Sequence, residues 1–165
     1  MFKNSISVLV GILLCSTINV FAQGVKLEPL WETTLPAPES VLMDPSGAFL
    51  YVSCLNGPLT KENKTSLIAK VGLDGKIINP RFAENLNGTK GMCILGDKLY
   101  VSEMTQIVAI DLKTGKVVQR YSVENAQFLN DLVVDTSRKM TYISDSVTGK
   151  IWVLNNNGEI RLLID

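Results

Sequence analysis

Residues 98–102 read Lys-Leu-Tyr-Val-Ser, and this short stretch recurs with small changes at residues 49–53 and 140–144. Each copy is rich in aromatic and β-branched residues, a composition that favours a β-strand. An apolar stretch precedes each copy, at residues 40–44, 91–95 and 131–135. A second apolar stretch follows each copy, at residues 67–73, 106–112 and 150–154. The sequence therefore repeats a pattern of three strands three times.

A turn and a fourth, more polar strand complete each repeat. The turns carry glycine at matching offsets, in Asp74-Gly75, Thr114-Gly115 and Asn157-Gly158, and such pairs favour tight hairpins. Fourth strands are expected at about residues 76–82, 116–122 and 159–164. Four aromatic residues are interpreted as packing residues between neighbouring units: Tyr51, Tyr100, Tyr142 and Trp152.

The spacing of these units indicates the fold class. The equivalent positions Glu39, Lys90 and Asn130 are separated by 51 and 40 residues. A period of about 40–50 residues with four strands per unit is typical of β-propeller blades. We therefore expect an all-β protein with three four-stranded antiparallel blades, at about residues 39–82, 90–125 and 130–165.

The first 22 residues are predicted to be a secretory signal peptide. Lys3 supplies the positive charge, residues 6–15 form a short apolar run, and Val20-Phe21-Ala22 resembles a cleavage site before Gln23. Lipidation at Cys15 is a weaker alternative, because the bulky Leu14 precedes it. The mature domain is then residues 23–165, and the protein is expected to be exported, either secreted or periplasmic. No other segment is long and apolar enough to predict a membrane span.

Residues 27–35 are predicted to form a lone strand that closes the outer edge of the last blade of a ring. Propellers typically have about four to eight blades, so three blades correspond to half of a six-bladed ring. We favour the interpretation that the chain is a piece of a longer protein, and the alternative is that two copies pair. In either case, unpaired terminal blades are expected to make the isolated chain self-associate.

Composition excludes several classes of function. The chain has 16 Lys and Arg and 16 Asp and Glu, so it lacks the basic stripe that nucleic-acid binding requires. It contains no histidine, which excludes histidine-dependent triads and an imidazole base within this chain. Any metal would need oxygen ligands, which favours calcium, magnesium or manganese. Cys54 and Cys93 could form a disulfide in an exported protein, but their apolar contexts favour buried free thiols.

Blade connectivity places the candidate site residues on one face. The start of each first strand and the end of each second strand lie at the same end of a blade. The strand starts are Glu39, Lys90 and Asn130, and the residues after the second strands are Asn56, Glu103 and Asp145. The polar loop of residues 55–66 opens on the same side. Carboxylate and amide oxygens that converge on a channel suit a hard divalent cation.

Several motifs resemble the gluconolactonase/regucalcin-like family, which includes senescence marker protein and luciferin-regenerating enzyme. They are Pro38-Glu39-Ser40-Val41, Leu50-Tyr51-Val52-Ser53, residues 128–135 and Tyr142-Ile143-Ser144-Asp145-Ser146. The resemblance covers about residues 28–165, the N-terminal half of such a protein. It implies a six-bladed propeller with a divalent metal at the channel mouth, and characterised members include lactone hydrolases.

The resemblance also implies roles for individual residues. Glu39 matches the metal-binding glutamate of the first blade, although Ser40 stands where glycine is usual. Asn130 matches the third-blade asparagine that lies beside the metal and contacts substrate. Strand position and charge, independently of the resemblance, make Lys90 a further substrate-binding candidate that could stabilise an oxyanion, and make Asp131, Asp145 and Glu103 candidate neighbours of the metal that do not bind it directly. Calcium is the favoured metal, with magnesium, manganese or zinc as alternatives. The remaining ligands and the catalytic base come from later blades, so no catalytic residue is assigned.

Two functions remain open from the sequence. One is an exported metal-dependent hydrolase of a sugar lactone or related ester, for which this chain supplies half a site and is inactive alone. The other is a non-catalytic propeller that binds a ligand or a protein partner. The fold does not choose between them.

Overall fold

The computed structural model describes residues 27–58, 62 and 64–165, and it confirms the predicted all-β repeat. In this part of the chain, twelve strands form three four-stranded antiparallel sheets and no helix occurs. All twelve strands belong to one compact unit, residues 31–165. Residues 27–30 are the described part of a separate unit, and none of these four residues is in a strand. The predicted leader lies outside the described residues.

Each sheet is a meander whose strands pair in sequence order, so its first and fourth strands are the edges. Blade 1 consists of β1 (Pro38–Met43), β2 (Phe49–Cys54), β3 (Ser66–Gly72) and β4 (Ile77–Leu86). Blade 2 consists of β5 (Met92–Leu95), β6 (Lys98–Ser102), β7 (Gln106–Asp111) and β8 (Val117–Ser122). Blade 3 consists of β9 (Leu129–Asp135), β10 (Met140–Asp145), β11 (Ile151–Leu154) and β12 (Ile160–Ile164).

The predicted turns between third and fourth strands are present in all three blades. Gly115 shows why the sequence requires glycine there: its φ is 71°, in the left-handed region that glycine adopts freely. Its α-carbon also lies directly against the Phe82 carbonyl of blade 1, and this contact leaves no room for a side chain. The turn residue therefore also sets how closely blade 2 approaches blade 1.

Two apolar clusters join the blades. Between blades 1 and 2, Tyr51 is 1% exposed and packs with Ile68, Leu99 and Val108. Between blades 2 and 3, Trp152 packs with Ile107, Leu129 and Ile143, and Tyr100 lies against the same cluster. The structure thus confirms that Tyr51, Tyr100 and Trp152 pack between blades. Burial of such apolar side chains is the main favourable term that holds the blades together.

Residues 27–35 were predicted to close the last blade of a ring, and because that blade is not among the three described, the closure stays a prediction. None of these residues is in a strand, and no described strand pairs with them. A strand is defined by ladder hydrogen bonds, so without a neighbour this apolar segment has nothing to hold it extended. Leu35 packs on a third cluster with Val52, Ala69 and Val71, on the face of blade 1 that points away from blade 2.

The two described cysteines, Cys54 and Cys93, are buried and free, so no disulfide joins them. Burial raises the pKa of each thiol to about 11. They behave as small apolar residues of the interior. Among the described residues, no helix is long and apolar enough to cross a membrane.

Candidate functional site

A β-bulge opens the innermost strand of blade 1, and Glu39 is its extra residue. Pro38 lies opposite Cys54 and Ser40 lies opposite Ser53, which leaves Glu39 without a partner on β2. The Ser53 hydroxyl accepts a hydrogen bond from the Ser40 N–H at 3.1 Å. Bulges bend a strand and re-aim a side chain, and they are common next to functional sites.

Blade 3 carries a bulge at the equivalent place. Leu129 lies opposite Asp145 and Leu132 lies opposite Ile143, so both Asn130 and Asp131 face the single residue Ser144. The Ser144 hydroxyl accepts from the Asp131 N–H at 3.1 Å, as Ser53 does in blade 1.

Blade 2 has the same irregularity just before β5. The Lys90 N–H donates to the Ser102 carbonyl at 3.0 Å, and the Ser102 N–H donates to the Gly91 carbonyl at 3.1 Å. Lys90 and Gly91 therefore share one partner, and Lys90 is the extra residue. The three residues that sequence spacing identified as equivalent, Glu39, Lys90 and Asn130, are thus the bulge residues of three blades.

Charges and contacts relate the bulge residues of the different blades: Glu39 is coupled electrostatically to Lys90 and Asp131, and the Gly91 N–H donates to the Asn130 carbonyl at 3.0 Å. Partial burial of the Glu39 carboxyl raises its pKa, the charge of Asp131 raises it further, and the charge of Lys90 lowers it. The side chains of Glu39, Asn130 and Asp131 form no hydrogen bond with any described residue. Two carboxylates and one amide oxygen are therefore available at this end of the sheets, and oxygen donors of this kind bind hard divalent cations.

Lys90 is buried rather than solvated. It is 2% exposed, and its Nζ donates to the Gly88 carbonyl at 2.9 Å and lies 4.5 Å from the centre of the Phe128 ring. Burial lowers the pKa of Lys90 to about 8, against the opposing effect of the Glu39 and Glu103 charges. Its positive charge is thus held beneath the candidate site, where it partly balances the carboxylates.

Glu103 is 2% exposed, and both of its carboxylate oxygens are engaged. It accepts from the Asn87 N–H at 2.9 Å and from the Arg120 guanidinium at 2.7 Å. Asn87 belongs to the connection between blades 1 and 2. Glu103 therefore holds this connection against the end of β6, and its oxygens are not free to face a metal.

Asp145 does the same for the connection between blades 2 and 3. It is 2% exposed and accepts from the N–H groups of Gln127 at 2.7 Å and Phe128 at 3.2 Å, and from those of Val147 and Thr148 at 3.1 Å. Burial alone would raise the pKa of Asp145, but these backbone donors together hold it below its ordinary value. The sequence signal for this role is an acidic residue at the end of the second strand in blades 2 and 3, where capping of the following loop was one interpretation of Glu103 and Asp145.

In blade 1, the equivalent residue is the buried Cys54, which lies opposite Pro38 as Asp145 lies opposite Leu129. The sequence candidate Asn56 lies two residues further on, and its amide donates to the Thr65 carbonyl at 2.8 Å. This contact joins two residues of the polar loop 55–66, of which residues 59–61 and 63 lie outside the described residues. Among the described residues, no three or more His, Cys, Asp or Glu side chains form a group that could hold a metal. The candidate site therefore depends on the amide of Asn130 in addition to Glu39 and Asp131.

A separate cleft of about 390 Å³ lies between blades 1 and 2. Its charged walls include Glu103 and Arg120, which already pair with each other, and none of Glu39, Lys90 or Asn130 lines it. The cleft is thus distinct from the candidate site.

Comparisons with known proteins identify the class of protein as a β-propeller. The model of the Major royal jelly protein family, a β-propeller family, matches residues 95–160, which is less than half of the chain. No curated protein sequence matches. This match does not show that the chain belongs to the gluconolactonase/regucalcin-like family, so that resemblance stays a prediction.

Solved structures show the same fold. A chain of the Kuenenia stuttgartiensis hydrazine synthase superimposes with a TM-score of 0.62 at 18% identity, over 86% of this chain and 40% of that chain. A chain of the nidogen/laminin complex superimposes with a TM-score of 0.60 at 17% identity, over 82% of this chain and 50% of that chain. The chain therefore spans half or less of the length of these propellers, and at this identity the likeness shows the fold alone.

Proposed function

We propose that the end of the blades carrying Glu39, Asn130 and Asp131 binds a divalent cation, with calcium preferred, in an exported propeller that hydrolyses a lactone or related ester. The observation that carries the proposal is the repeated bulge, which directs one side chain from each blade to the same end. The oxygens of these three side chains form no hydrogen bond with a described residue. The predicted leader is the reason for proposing export.

Charge balance supports a cation at this place. Burial is the main cause of the raised pKa of Glu39, and the Asp131 charge raises it further; a divalent ion relieves such repulsion between carboxylates. The buried Lys90 compensates only part of this negative charge. Calcium takes about six to eight oxygen ligands, so water, substrate or further blades would complete the coordination.

Each residue then has a distinct role in the proposed hydrolysis. Glu39 binds the cation through its carboxylate, and the Asn130 amide oxygen binds beside it and contacts the substrate. Lys90 places a positive charge beneath the site, where it favours an anionic transition state. When bound, the cation would polarise the ester carbonyl and lower the pKa of a water molecule. No described residue is assigned as the general base.

Isothermal titration calorimetry with calcium and manganese on the full-length protein tests the proposal. The Glu39→Gln variant keeps the shape of the side chain and removes its charge, so its affinity should fall at least about tenfold. Glu124→Gln is the matched control, because Glu124 is an exposed carboxylate outside the site. Equal affinity of wild type and Glu39→Gln would exclude the cation site. Lactone hydrolysis that persists in a chelator would exclude the metal-dependent reaction.

A second candidate function is a propeller that acts by binding a protein, and one observation favours it. In blade 1, Leu42 and Tyr51 pack beneath blade 2, but their equivalents in blade 3, Val133 and Tyr142, line an open apolar surface. Val133 is 63% exposed. This surface fits another four-stranded blade. In the isolated chain, a second copy of the chain would supply that blade.

A further inference from the structure

We propose that Ser102 and Gly91 of blade 2 are positioning residues for Asn130 of blade 3. They would fix the backbone from which the Asn130 amide reaches the cation. This inference rests on the proposed cation site. It adds that a contact from blade 2 holds a ligand on blade 3 in place.

The link consists of two donors on one carbonyl group. The Asn130 carbonyl accepts a hydrogen bond from the Gly91 N–H at 3.0 Å and another from the Ser102 hydroxyl. Ser102 and Gly91 are both buried, so water does not compete for this carbonyl from their side. The main chain of Asn130 is therefore anchored by the neighbouring blade, whereas its side-chain amide is left free to bind.

Ser102 differs in this respect from the equivalent serines of the other blades. Ser53 and Ser144 accept an N–H from the first strand of their own blade, at Ser40 and Asp131. In blade 2, the corresponding N–H, that of Gly91, donates across the blade boundary instead. The Ser102 hydroxyl donates to the Asn130 carbonyl of blade 3 and also lies 3.4 Å from the Gly91 carbonyl of its own blade.

Glycine at position 91 is required by the close approach of blade 3. A β-carbon at this position would lie 2.7 Å from the Asp131 α-carbon and 2.8 Å from the Asn130 carbonyl oxygen. Both distances are shorter than van der Waals contact, and the atoms concerned belong to the main chain. Any side chain here would push away the strand that carries Asn130.

Removing the Ser102 hydroxyl should therefore lower the affinity for the cation, because the main chain of Asn130 would be held less firmly. Groups that orient metal ligands typically change metal affinity by about 10–100-fold when they are lost. If Ser102 only stabilised the fold, its replacement would lower the free energy of unfolding, and any effect on cation affinity would be the same whether or not Asn130 is present.

A double-mutant cycle separates these two roles. Calcium affinity is measured by calorimetry for the full-length protein and for the Ser102→Ala, Asn130→Ala and doubly substituted variants. We expect Ser102→Ala to weaken binding about tenfold in the wild-type background and to have no further effect when Asn130 is already alanine. An equal loss in both backgrounds would overturn the inference. So would wild-type affinity in Ser102→Ala. Ser122→Ala, on β8 and exposed, is the control and should bind as wild type.

Amide hydrogen exchange gives a readout that needs no metal. Exchange of the Gly91 amide should accelerate in Ser102→Ala and stay unchanged in Ser53→Ala, because only Ser102 holds the acceptor of the Gly91 N–H. Unchanged exchange in Ser102→Ala would overturn the positioning role. If the wild type binds no cation while exchange changes as expected, the proposed function fails and the contact between the blades stands.

Discussion

The carbonyl group of Phe82 in blade 1 lies against the α-carbon of Gly115 in the β7–β8 turn of blade 2. The two blades thus meet through main-chain atoms at the end opposite the candidate site. The apolar cluster around Tyr51 and Leu99 fills the interior of the interface, but here the distance between the blades is set by the absence of a side chain.

Gly115→Ala should lower the free energy of unfolding by about 2–3 kcal/mol, from overlap with Phe82 and from the left-handed φ of 71°. Gly149→Ala is a matched control, because its φ is 73° and no atom lies within 4 Å of the added carbon. It should lose only about 1 kcal/mol. Urea denaturation of both variants gives the comparison, and equal losses would contradict the importance of the Phe82 contact.

Arg120→Met should also destabilise the protein, by about 2–3 kcal/mol, because it leaves the buried Glu103 carboxylate with one charged partner fewer. Arg138→Met removes an ion pair with Asp135 in which the Arg138 side chain is 71% exposed, and it should cost less than about 1 kcal/mol. Chemical denaturation measures both. Similar small losses for the two variants would mean that Glu103 does not depend on Arg120.

Acid should remove the stabilisation that Asp145 supplies. The pKa of Asp145 is lower in the folded protein than its ordinary value of 3.8, so the folded state binds this proton less readily than the unfolded state. Its contribution is therefore complete above the ordinary value and is lost as pH falls through the folded value. The stability difference between wild type and Asp145→Asn should be largest near neutral pH and should shrink in this acidic range. A difference that is constant with pH, measured by urea denaturation, would contradict this assignment.

The open surface of blade 3 should make the 165-residue chain self-associate. Val133→Lys places a charge in the middle of this surface and should shift the chain towards monomer. Sedimentation velocity at several concentrations measures the shift, with Glu124→Lys as a control for added positive charge. If Val133→Lys associates as strongly as wild type, another surface is responsible.

The sequence was sufficient to predict the three blades because their information is local. The second strands at residues 49–53, 98–102 and 140–144 repeat an apolar pattern, and the glycine turns recur at fixed offsets. The closure strand at residues 27–35 stays a prediction, because an apolar composition does not specify a pairing partner and the blade that it would close is not among those described. Strand pairing depends on what lies alongside, and that is not encoded in the segment itself.

The candidate site was predicted in part. Strand topology correctly brought Glu39, Lys90 and Asn130 to one end of the blades, and their roles in binding stay predictions. The burial of Lys90 depends on Gly88 and Phe128, which come from two different connections between blades, so no local pattern reveals it. The same is true of Glu103, whose partners Asn87 and Arg120 are separated by 33 residues of the chain.

The buried, unlinked state of Cys54 and Cys93 has a practical consequence for labelling. A thiol reacts with maleimides as its thiolate, and with a pKa of about 11 only a very small fraction of either group is ionised at neutral pH. Both sulfurs are also covered by the interior. Once Cys15 is replaced by serine, a single cysteine introduced at an exposed position such as Glu124 could carry a fluorophore without removal of the native thiols. A second exposed cysteine on another blade would complete a donor–acceptor pair, so that the distance between two blades could be followed in solution with the interior unaltered.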